Sequence, residues 1–265
     1  MTQIARFRNQ DGACLHGLML EDDTLQIIKG DIFGEWKPTD ETIPLASVRL
    51  MAPVEPPNII AIGLNYRGHA EETGKSIPER PLIFLKATSA VCGPDDHIVL
   101  PKIAPNEVDC ECELAIIIGR KARNVSPDYA LDYVLGYTCS NDVSARDCQK
   151  RLDLQWARAK SFDTFAPLGP WIETDLDPDE APICRRMNGE MMQSSNTNDL
   201  IFPCRELISY ISHSMTLLPG TVIMTGTPSG VGFTRNPPIF ISPGDVIEVE
   251  IEGIGMLRNT VVAEE

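Results

Sequence analysis

The feature that most constrains the fold is a run of alternating acidic residues that leads into a strongly apolar segment. An acid occupies every second position from Glu107 to Glu113, and residues 114–118 carry no charge. Because successive side chains of a β-strand point to opposite faces, this spacing places the acids on one face of a strand. A solvated edge strand would show the same alternation, but the apolar continuation favours a strand inside a buried sheet.

A cation would make this acidic strand favourable. Neighbouring carboxylates repel and raise one another's pKa, and the last two acids, Glu111 and Glu113, lead into the apolar segment. A cation shared between these two side chains removes the repulsion. Oxygen ligands alone select hard ions such as Mg²⁺, Mn²⁺ or Ca²⁺. The alternation therefore predicts a buried site for a hard divalent cation.

The remaining patterns predict a mostly β fold with short helices, of the α+β class. Three prolines in residues 52–57 cannot continue a helix or a central strand, and they separate a small β-rich N-terminal domain at residues 1–52 from a larger domain at residues 58–265. An amphipathic helix is predicted at residues 204–214, and a second helix is predicted to start at Ser144 as its N-cap. Strands are predicted at residues 4–8, 14–20, 24–28, 59–64, 82–85, 111–118, 133–139, 222–224 and 246–251.

Composition excludes several classes of protein. The net charge of −15 repels phosphate backbones, which argues against nucleic acid as a partner. The longest strongly apolar stretch is too short for a bilayer and the first residues lack the layout of a signal peptide, so we expect a cytoplasmic protein with no membrane partner. The eight cysteines form no Cys-x-x-Cys pair, so we expect reduced thiols rather than disulfides or a zinc site.

Two polar segments carry candidate catalytic groups. His69 and Glu72 are three residues apart, so a helical turn places them on the same face. A carboxylate that binds an imidazole raises its basicity, as a general base requires, although an exposed helix pair without function has the same spacing. Asp142 follows a predicted strand, where it would supply a third carboxylate ligand or cap the next helix.

Four further segments contain candidate site residues: two of them have two interpretations each, and the other two are loops expected to set specificity. The glycine-rich residues 225–232 lack the lysine of a phosphate-binding loop, but their backbone N–H groups could bind a carboxylate, and a plain tight turn fits equally well. Lys160 lies among apolar and aromatic residues, either as a site residue or as a surface lysine whose stem covers them. Substrate-specific contacts are expected from loops at residues 194–197 and 235–238.

Six motifs follow one another along the chain. In order they are Asn65-Tyr66-x-x-His69-x-x-Glu72, Phe84-Leu85-Lys86, Val108-Asp109-x-Glu111-x-Glu113-Leu114-Ala115, Asp142-Val143-Ser144-Ala145-Arg146-Asp147, Ala159-Lys160-Ser161-Phe162 and Thr225-Gly226-Thr227-Pro228. Their order resembles the fumarylacetoacetate hydrolase family, over roughly residues 60–262. The chain resembles the small, prokaryotic-type members, among them acylpyruvate hydrolases, oxaloacetate decarboxylases and 2-hydroxyhepta-2,4-diene-1,7-dioate isomerases.

The resemblance implies a mixed β-sandwich roll, usually a homodimer, that binds a divalent cation through carboxylates. It assigns the metal ligands as Glu111, Glu113 and Asp142. It makes His69 and Glu72 a water-activating dyad on a short lid helix that orders when ligand binds. The remaining assignments are Lys160 and Gln149 as catalytic groups that hydrogen bond the substrate, Thr227 and Gly226 at a substrate carboxylate, and Arg146, with Lys86, as support from behind the substrate site.

The same resemblance implies a reaction class. It favours a divalent-metal-dependent C–C bond hydrolase for a small 2-oxo acid of the acylpyruvate or fumarylpyruvate type, with a metal-stabilised enolate and water activated by the His–Glu dyad. Oxaloacetate decarboxylation and 2-hydroxy-dienedioate isomerisation share that enolate and stay open as alternatives. A non-catalytic oxo-acid binding protein is a further alternative, which the intact dyad disfavours. The implied cofactor is Mg²⁺ or Mn²⁺, with Ca²⁺ as a substitute in crystals.

Overall fold

A computed structural model describes residues 2–265 of the chain. Strands account for 41% of the residues and helices for 18%, which confirms the predicted mostly β class with short helices. Three α-helices occur in the described residues: α1 (Arg67–Glu72), α2 (Trp156–Ala159) and α3 (Cys204–Ser214). Shorter helical turns are Leu45–Ser47, Thr88–Ala90, Pro127–Tyr133, Thr197–Asp199 and Gly232–Thr234, with a π-helical turn at Cys148–Leu152.

The described residues contain nineteen strands. The N-terminal strands are β1 (Gln3–Arg8), β2 (Cys14–Met19), β3 (Thr24–Gly30), β4 (Trp36–Pro44) and β5 (Arg49–Leu50). The central strands are β6 (Ile59–Gly63), β7 (Leu82–Lys86), β8 (Val91–Cys92), β9 (His97–Leu100), β10 (Val108–Asp109), β11 (Cys112–Ile118), β12 (Val134–Asn141), β13 (Ser144–Ala145) and β14 (Ala166–Glu173). The C-terminal strands are β15 (Pro182–Met187), β16 (Glu190–Asn196), β17 (Val222–Met224), β18 (Val246–Ile251) and β19 (Gly255–Ala263).

Most strands belong to one large mixed sheet. Its order is β4-β3-β2-β1-β14-β12-β11-β17-β6-β7, with β5 paired to β1 and β8 paired to β14. A second sheet has the order β16-β15-β18-β19-β9, and β10 pairs with β13. The N-terminal strands are joined to the larger unit through the antiparallel pair β1–β14, so the proline-rich segment at residues 52–57 does not interrupt the sheet.

Strand β11 is buried on both faces, as its apolar sequence predicts. Leu114, Ile116 and Ile118 pack into one hydrophobic cluster, which also contains the apolar face of α3 and residues of β15 and β18. Ala115 and Ile117 point into a second cluster on the opposite face of the sheet. Every side chain of β11 is buried. A carboxylate on this strand is therefore placed in the interior of the protein.

Helix α3 forms over the predicted residues. Leu207, Ile208 and Ile211 recur at the spacing of one helical face, and all three are fully buried against the cluster that contains Leu114. Pro203 precedes the first turn, where its missing N–H costs no hydrogen bond. This helix covers one face of the sheet and leaves the opposite face, toward which Glu113 points with Ala115, for the polar site.

Two expectations, one about the acidic segment and one about Ser144, are wrong in detail. The alternating acids do not lie on one continuous strand, because Cys110 and Glu111 connect β10 to β11, which belong to different sheets. Ser144 is not a helix N-cap: it lies in β13, pairs with Asp109 of β10, and its hydroxyl donates to the Asp142 carbonyl at 2.9 Å. Pairing with β10 overrides the local capping pattern, and the helical turn begins only after β13.

The hairpin β15–β16 was not predicted, although its turn has a recognisable sequence. Asn188 and Gly189 connect the two strands with φ angles of 55° and 82°. Asn-Gly is the preferred pair for a two-residue hairpin turn in which both residues have positive φ. The flanking strands alternate weakly between polar and apolar residues, which hides the signal. No helix within residues 2–265 is long and apolar enough to cross a membrane.

Candidate active site

The site forms where four adjacent strands of the large sheet begin or end. Strand β11 is antiparallel to both β12 and β17, and β17 is parallel to β6, so the start of β11 and the ends of the other three share one edge. Cys112 pairs with Asn141, which places Asp142 beside Glu111. The N–H of Asp142 donates to the Glu111 carbonyl at 2.8 Å. Strand register thus brings together acids that are far apart in sequence.

Glu111, Glu113 and Asp142 form a carboxylate triad. One oxygen from each of these side chains lies within 4.8 Å of the others, and all three residues are buried. Three buried carboxylates at this separation provide an oxygen-only ligand set, which suits a hard divalent cation. The predicted convergence of two strand acids with Asp142 is therefore present in the structure.

Three buried cations surround the triad. Arg146 donates to Glu111 Oε1 at 2.6 Å and to Asp109 Oδ2 at 3.0 and 3.1 Å. Lys160 Nζ contacts Glu111 Oε2 at 2.7 Å and also Asp142, whose other oxygen binds Lys86. Burial alone would raise the pKa of the Glu111 carboxyl, but Arg146 and Lys160 outweigh it and hold that pKa well below its usual range.

Glu113 has the opposite electrostatic environment. Burial, followed by the charges of Asp142 and Glu111, raises the pKa of the Glu113 carboxyl well above its usual range. Its Oε2 accepts a hydrogen bond from the Gly226 N–H at 2.8 Å, which favours the charged form but does not outweigh the repulsion. The triad without a cation therefore favours a proton on Glu113. The residues fit a divalent cation, because such an ion would replace this proton and relieve the same repulsion.

His69 and Glu72 form the predicted hydrogen-bonded pair on α1. Their Nδ1 and Oε2 atoms are 3.0 Å apart, and both side chains line the same cavity as the triad. Glu72 Oε1 accepts from the Gly230 N–H at 2.9 Å and from the Thr234 hydroxyl at 2.8 Å. Glu72 Oε1 is thus held by two donors, and Oε2 is left to accept a hydrogen bond from His69. The Nδ1 atom of His69 therefore carries the proton, and Nε2 is the nitrogen that can accept one.

The glycine-rich loop after β17 holds the triad and presents Thr227. Gly226 has a φ of +103°, and a Cβ there would lie 2.8 Å from the Asn65 Cβ, so this position requires glycine. Its N–H is directed at Glu113, so the predicted contact of Gly226 with a substrate carboxylate has no support in this hydrogen bond. Gln193 Nε2 donates to the Thr227 hydroxyl at 2.8 Å, which leaves the Thr227 proton to donate elsewhere.

The candidate residues surround one cavity of about 410 Å³. Nine of the eleven residues that the resemblance assigns to the site line it, and Gly226 and Lys86 are the exceptions. The nine are His69, Glu72, Glu111, Glu113, Asp142, Arg146, Gln149, Lys160 and Thr227. Gln149 Oε1 accepts from Arg146 at 2.8 Å, so its amide NH₂ group is the part left to contact a ligand.

Sequence reasoning missed the roles of several residues around the cavity. Asp109 fixes Arg146 and accepts from the Gly232 and Phe233 N–H groups at 3.1 and 3.0 Å. Gln193 orients Thr227 from a strand that was not predicted. The loops at residues 194–197 and 235–238, where specificity was expected, do not line the cavity. Its remaining walls come instead from other side chains: Ile62, Leu64, Thr73, Lys75, Phe84, Lys150, Trp156, Phe233 and Thr234.

Comparison with known proteins identifies the family. Residues 58–262 match the family profile described as fumarylacetoacetate (FAA) hydrolase C-terminal. The chain belongs to the fumarylacetoacetate hydrolase family. This confirms the resemblance seen in the six motifs, and the N-terminal residues 2–53 match a separate profile described as Rv2993c-like, N-terminal.

Relatives of this fumarylacetoacetate hydrolase family member have enzyme names. Over 224 residues it is 45% identical to oxaloacetate tautomerase Fahd2a, mitochondrial, from Rattus norvegicus, which covers 83% of this chain and 71% of that protein. A 5-carboxymethyl-2-hydroxymuconate delta-isomerase structure from Mycobacterium smegmatis is 44% identical, with a TM-score of 0.90 over 99% of this chain and 100% of that one. A 2-hydroxyhepta-2,4-diene-1,7-dioate isomerase structure from Mycobacterium marinum is 41% identical, with a TM-score of 0.89 over 100% and 99%. These comparisons support an enzyme and confirm the family fold.

Proposed function

We propose that this protein catalyses metal-dependent proton transfer next to the carbonyl group of a small 2-oxo acid, as a tautomerase or isomerase. The observation that carries the proposal is a histidine base, held by Glu72, in the same cavity as the carboxylate triad. The tautomerase and isomerase names of the relatives describe reactions that move a proton to or from a carbon near such a group. Oxaloacetate, which the name of the rat relative specifies, is the substrate to test first.

The protein residues have distinct roles in this reaction. A divalent cation, Mg²⁺ or Mn²⁺, held by Glu111, Glu113 and Asp142 would supply Lewis-acid stabilisation of negative charge on the 2-oxo group. His69 Nε2 accepts a proton from C3, and Glu72 stabilises the resulting imidazolium. Returning that proton to the oxygen gives the enol, and delivering it to a carbon further along a conjugated chain gives the isomer.

Positioning of the substrate falls to the hydrogen-bond donors of the cavity. Lys160 carries its charge toward Glu111 and Asp142, and these partners keep its pKa raised against the effect of burial. Its ammonium group can also donate to oxygen as charge develops there. Thr227, with its oxygen occupied by Gln193, donates its proton to the substrate carboxylate. The Gln149 NH₂ group provides a further donor.

Hydrolysis of an acylpyruvate or fumarylpyruvate is the second candidate, because the same dyad can activate water. His69 would take a proton from water, the hydroxide would add to the distal carbonyl, and the C–C bond would break with its electrons on the pyruvate fragment. The orientation of His69 by Glu72 serves both reactions equally. A hydrolase needs the additional water, whereas a tautomerase does not.

One set of assays separates these activities. With Mn²⁺-loaded or Mg²⁺-loaded protein, we expect loss of the enol absorbance of oxaloacetate and exchange of its C3 protons in D₂O, each faster than with metal alone. His69→Gln should reduce both rates by about 10²-fold or more. His97→Gln is the matched control, because His97 is exposed and lies outside the cavity. Cleavage of acetylpyruvate without proton exchange would refute the tautomerase proposal and support hydrolysis. Release of CO₂ would indicate decarboxylation.

We also propose a homodimer in a reducing compartment, the cytoplasm. Strand β7 is an edge of the large sheet and exposes Leu82 and Leu85 by 48% and 51%. An exposed apolar edge strand favours pairing with another chain. Light scattering should give twice the chain mass, and a monomeric mass would contradict the dimer.

All eight cysteines are free and six are buried, which suits a reducing environment.

A further inference from the structure

Two lysines of the active-site cavity have no acidic partner. Lys75 and Lys150 both line the cavity, and neither forms an ion pair with a side chain of residues 2–265. The other two cations of the cavity wall are neutralised: Arg146 binds Asp109 and Glu111, and Lys160 binds Glu111 and Asp142. Acidic residues outnumber basic ones in this chain, which has a net charge of −15. Two lysines without an acidic partner at the same cavity are therefore a distinguishing feature of this cavity.

The position of Lys150 is defined by Phe233. Lys150 Nζ lies 3.3 Å from the centre of the Phe233 ring, and the Arg146 guanidinium lies 4.5 Å from the same centre. His69 contacts Phe233 edge to face, with ring centres 6.3 Å apart. Lys150, Arg146 and His69 therefore all contact the same aromatic ring.

Lys75 is placed by the end of α1. The Lys75 N–H donates to the Ala70 carbonyl and the Gly74 N–H donates to the Glu71 carbonyl, at 3.0 and 3.1 Å. These two bonds form a Schellman motif, which requires the positive φ of Gly74, here +63°. Burial, then the charges of Arg146 and Lys75, lowers the pKa of Lys150 even though Asp109 opposes this effect. Both lysines line the same cavity, Lys75 from the end of α1 and Lys150 from the turn at Cys148–Leu152.

The nearest acids do not neutralise this pair of lysines. Glu107 binds Arg151 through both oxygens, at 2.9 and 3.0 Å. Asp109 is occupied by Arg146 and by two backbone N–H groups. A carboxylate that enters the cavity would be the first anion to reach both ammonium groups.

We infer that Lys75 and Lys150 form a subsite for the distal carboxylate of the substrate, which is therefore a 2-oxo dicarboxylate. The inference rests on the proposed function, because it places the 2-oxo acid group at the triad. The cations next to the triad are each matched to an acid of the protein, so a second carboxylate needs cations of its own. A neutral acyl chain would leave both ammonium groups unpaired and would be bound less well.

Binding measurements with matched ligand pairs test this subsite. Oxaloacetate and 2-oxobutyrate share the 2-oxo acid group and differ by a carboxylate against a methyl group. 2-Oxoglutarate and 2-oxovalerate form the same comparison one carbon longer. Calorimetric titration of the Mn²⁺-loaded protein should show tighter binding of the diacid in at least one pair. Because the lysines are exposed, the preference should decrease as salt rises.

Charge-removing variants then locate the effect. Lys150→Met should weaken diacid binding about tenfold, the loss of a charge-assisted hydrogen bond worth about 1.4 kcal/mol. Lys75→Met should act in the same direction, and neither variant should change binding of the monoacid. Lys150→Arg should retain most of the diacid affinity. Lys121→Met is the control, because this exposed lysine lies outside the cavity.

The outcomes distinguish this inference from the proposed function. Unchanged diacid affinity in the Lys75→Met/Lys150→Met double variant would overturn the subsite while leaving the tautomerase proposal intact. An equal loss of monoacid and diacid affinity would also overturn it, because the lysines would then support the cavity as a whole. If the wild-type protein bound none of the four ligands in the presence of Mn²⁺, both proposals would fail.

Discussion

Replacing Glu113 by glutamine should have opposite effects on stability without and with a divalent cation. The folded protein raises the pKa of this carboxyl above its unfolded value, first by burial and then through Asp142 and Glu111. A raised carboxyl pKa means that stability is lost as pH rises from the ordinary carboxyl pKa toward the raised one, and the loss persists at higher pH. Glu113→Gln removes this penalty, and its amide oxygen can still accept from the Gly226 N–H.

The size of the effect follows from the chain length. An unfolding entropy of about 2.1 cal/mol/K per residue gives about 0.56 kcal/mol/K for 265 residues. Each unit by which the pKa is raised costs about 1.4 kcal/mol, so removing the carboxyl should increase Tm by about 2 °C per unit at neutral pH. A cation at one hundred times its Kd stabilises the wild-type protein by about 2.7 kcal/mol, or about 5 °C.

Thermal unfolding followed by circular dichroism tests this reversal. In EDTA at pH 7.5, Glu113→Gln should melt above the wild-type protein, and addition of Mn²⁺ should reverse the order because the variant lacks a ligand. At pH 4.5 in EDTA the difference should shrink. Glu190→Gln, an exposed position on β16, is the control. A variant that melts lower in EDTA and gains the same shift with Mn²⁺ would refute the reasoning.

Three further predictions concern the residues around the triad. Arg146→Met leaves Asp109 without its buried partner, so the free energy of unfolding measured in urea titrations should fall by about 3–5 kcal/mol. A decrease of less than about 1 kcal/mol would contradict the ion-pair geometry. Gly226→Ala forces a side chain into positive φ, so Mn²⁺ affinity measured by titration should fall at least tenfold; an unchanged affinity would show that the loop adapts. Gln193→Leu should raise KM for oxaloacetate as Thr227→Val does, with little further effect in the double variant; additive effects would indicate independent roles.

The strands and the triad could be predicted because their signals are local. Residues 222–224 and 246–251 form strands with the predicted bounds, and residues 204–214 form the predicted helix. The acids at Glu111 and Glu113 were recognisable from their alternation and from the apolar sequence that follows. Asp142 was a weaker candidate, because only the pairing of β11 with β12 places it beside Glu111.

The supporting residues could not be predicted because their roles depend on pairing across the sheets. Gln193 lies on β16, whose sequence is largely polar, and no pattern connects it to Thr227. Asp109 belonged to the recognised alternation, but its partner is Arg146 rather than the cation, since β10 turns away from β11 into a separate pair with β13. A local helix-start pattern at Ser144 was likewise overridden by that pair.

The attachment of both His69 and Glu72 to α1 separates binding from chemistry. The three carboxylates of the triad lie on or next to strands of the large sheet, and Lys160 follows helix α2. His69 and Glu72 instead belong to one six-residue helix, which Glu72 holds to the neighbouring loop. A displacement of this helix alone would leave an intact cation site from which the proton acceptor is missing. A ligand that is too large for the helix to pack against it would then bind to the cation and be released unchanged. Selection by ligand size would therefore change the turnover rate rather than the binding affinity.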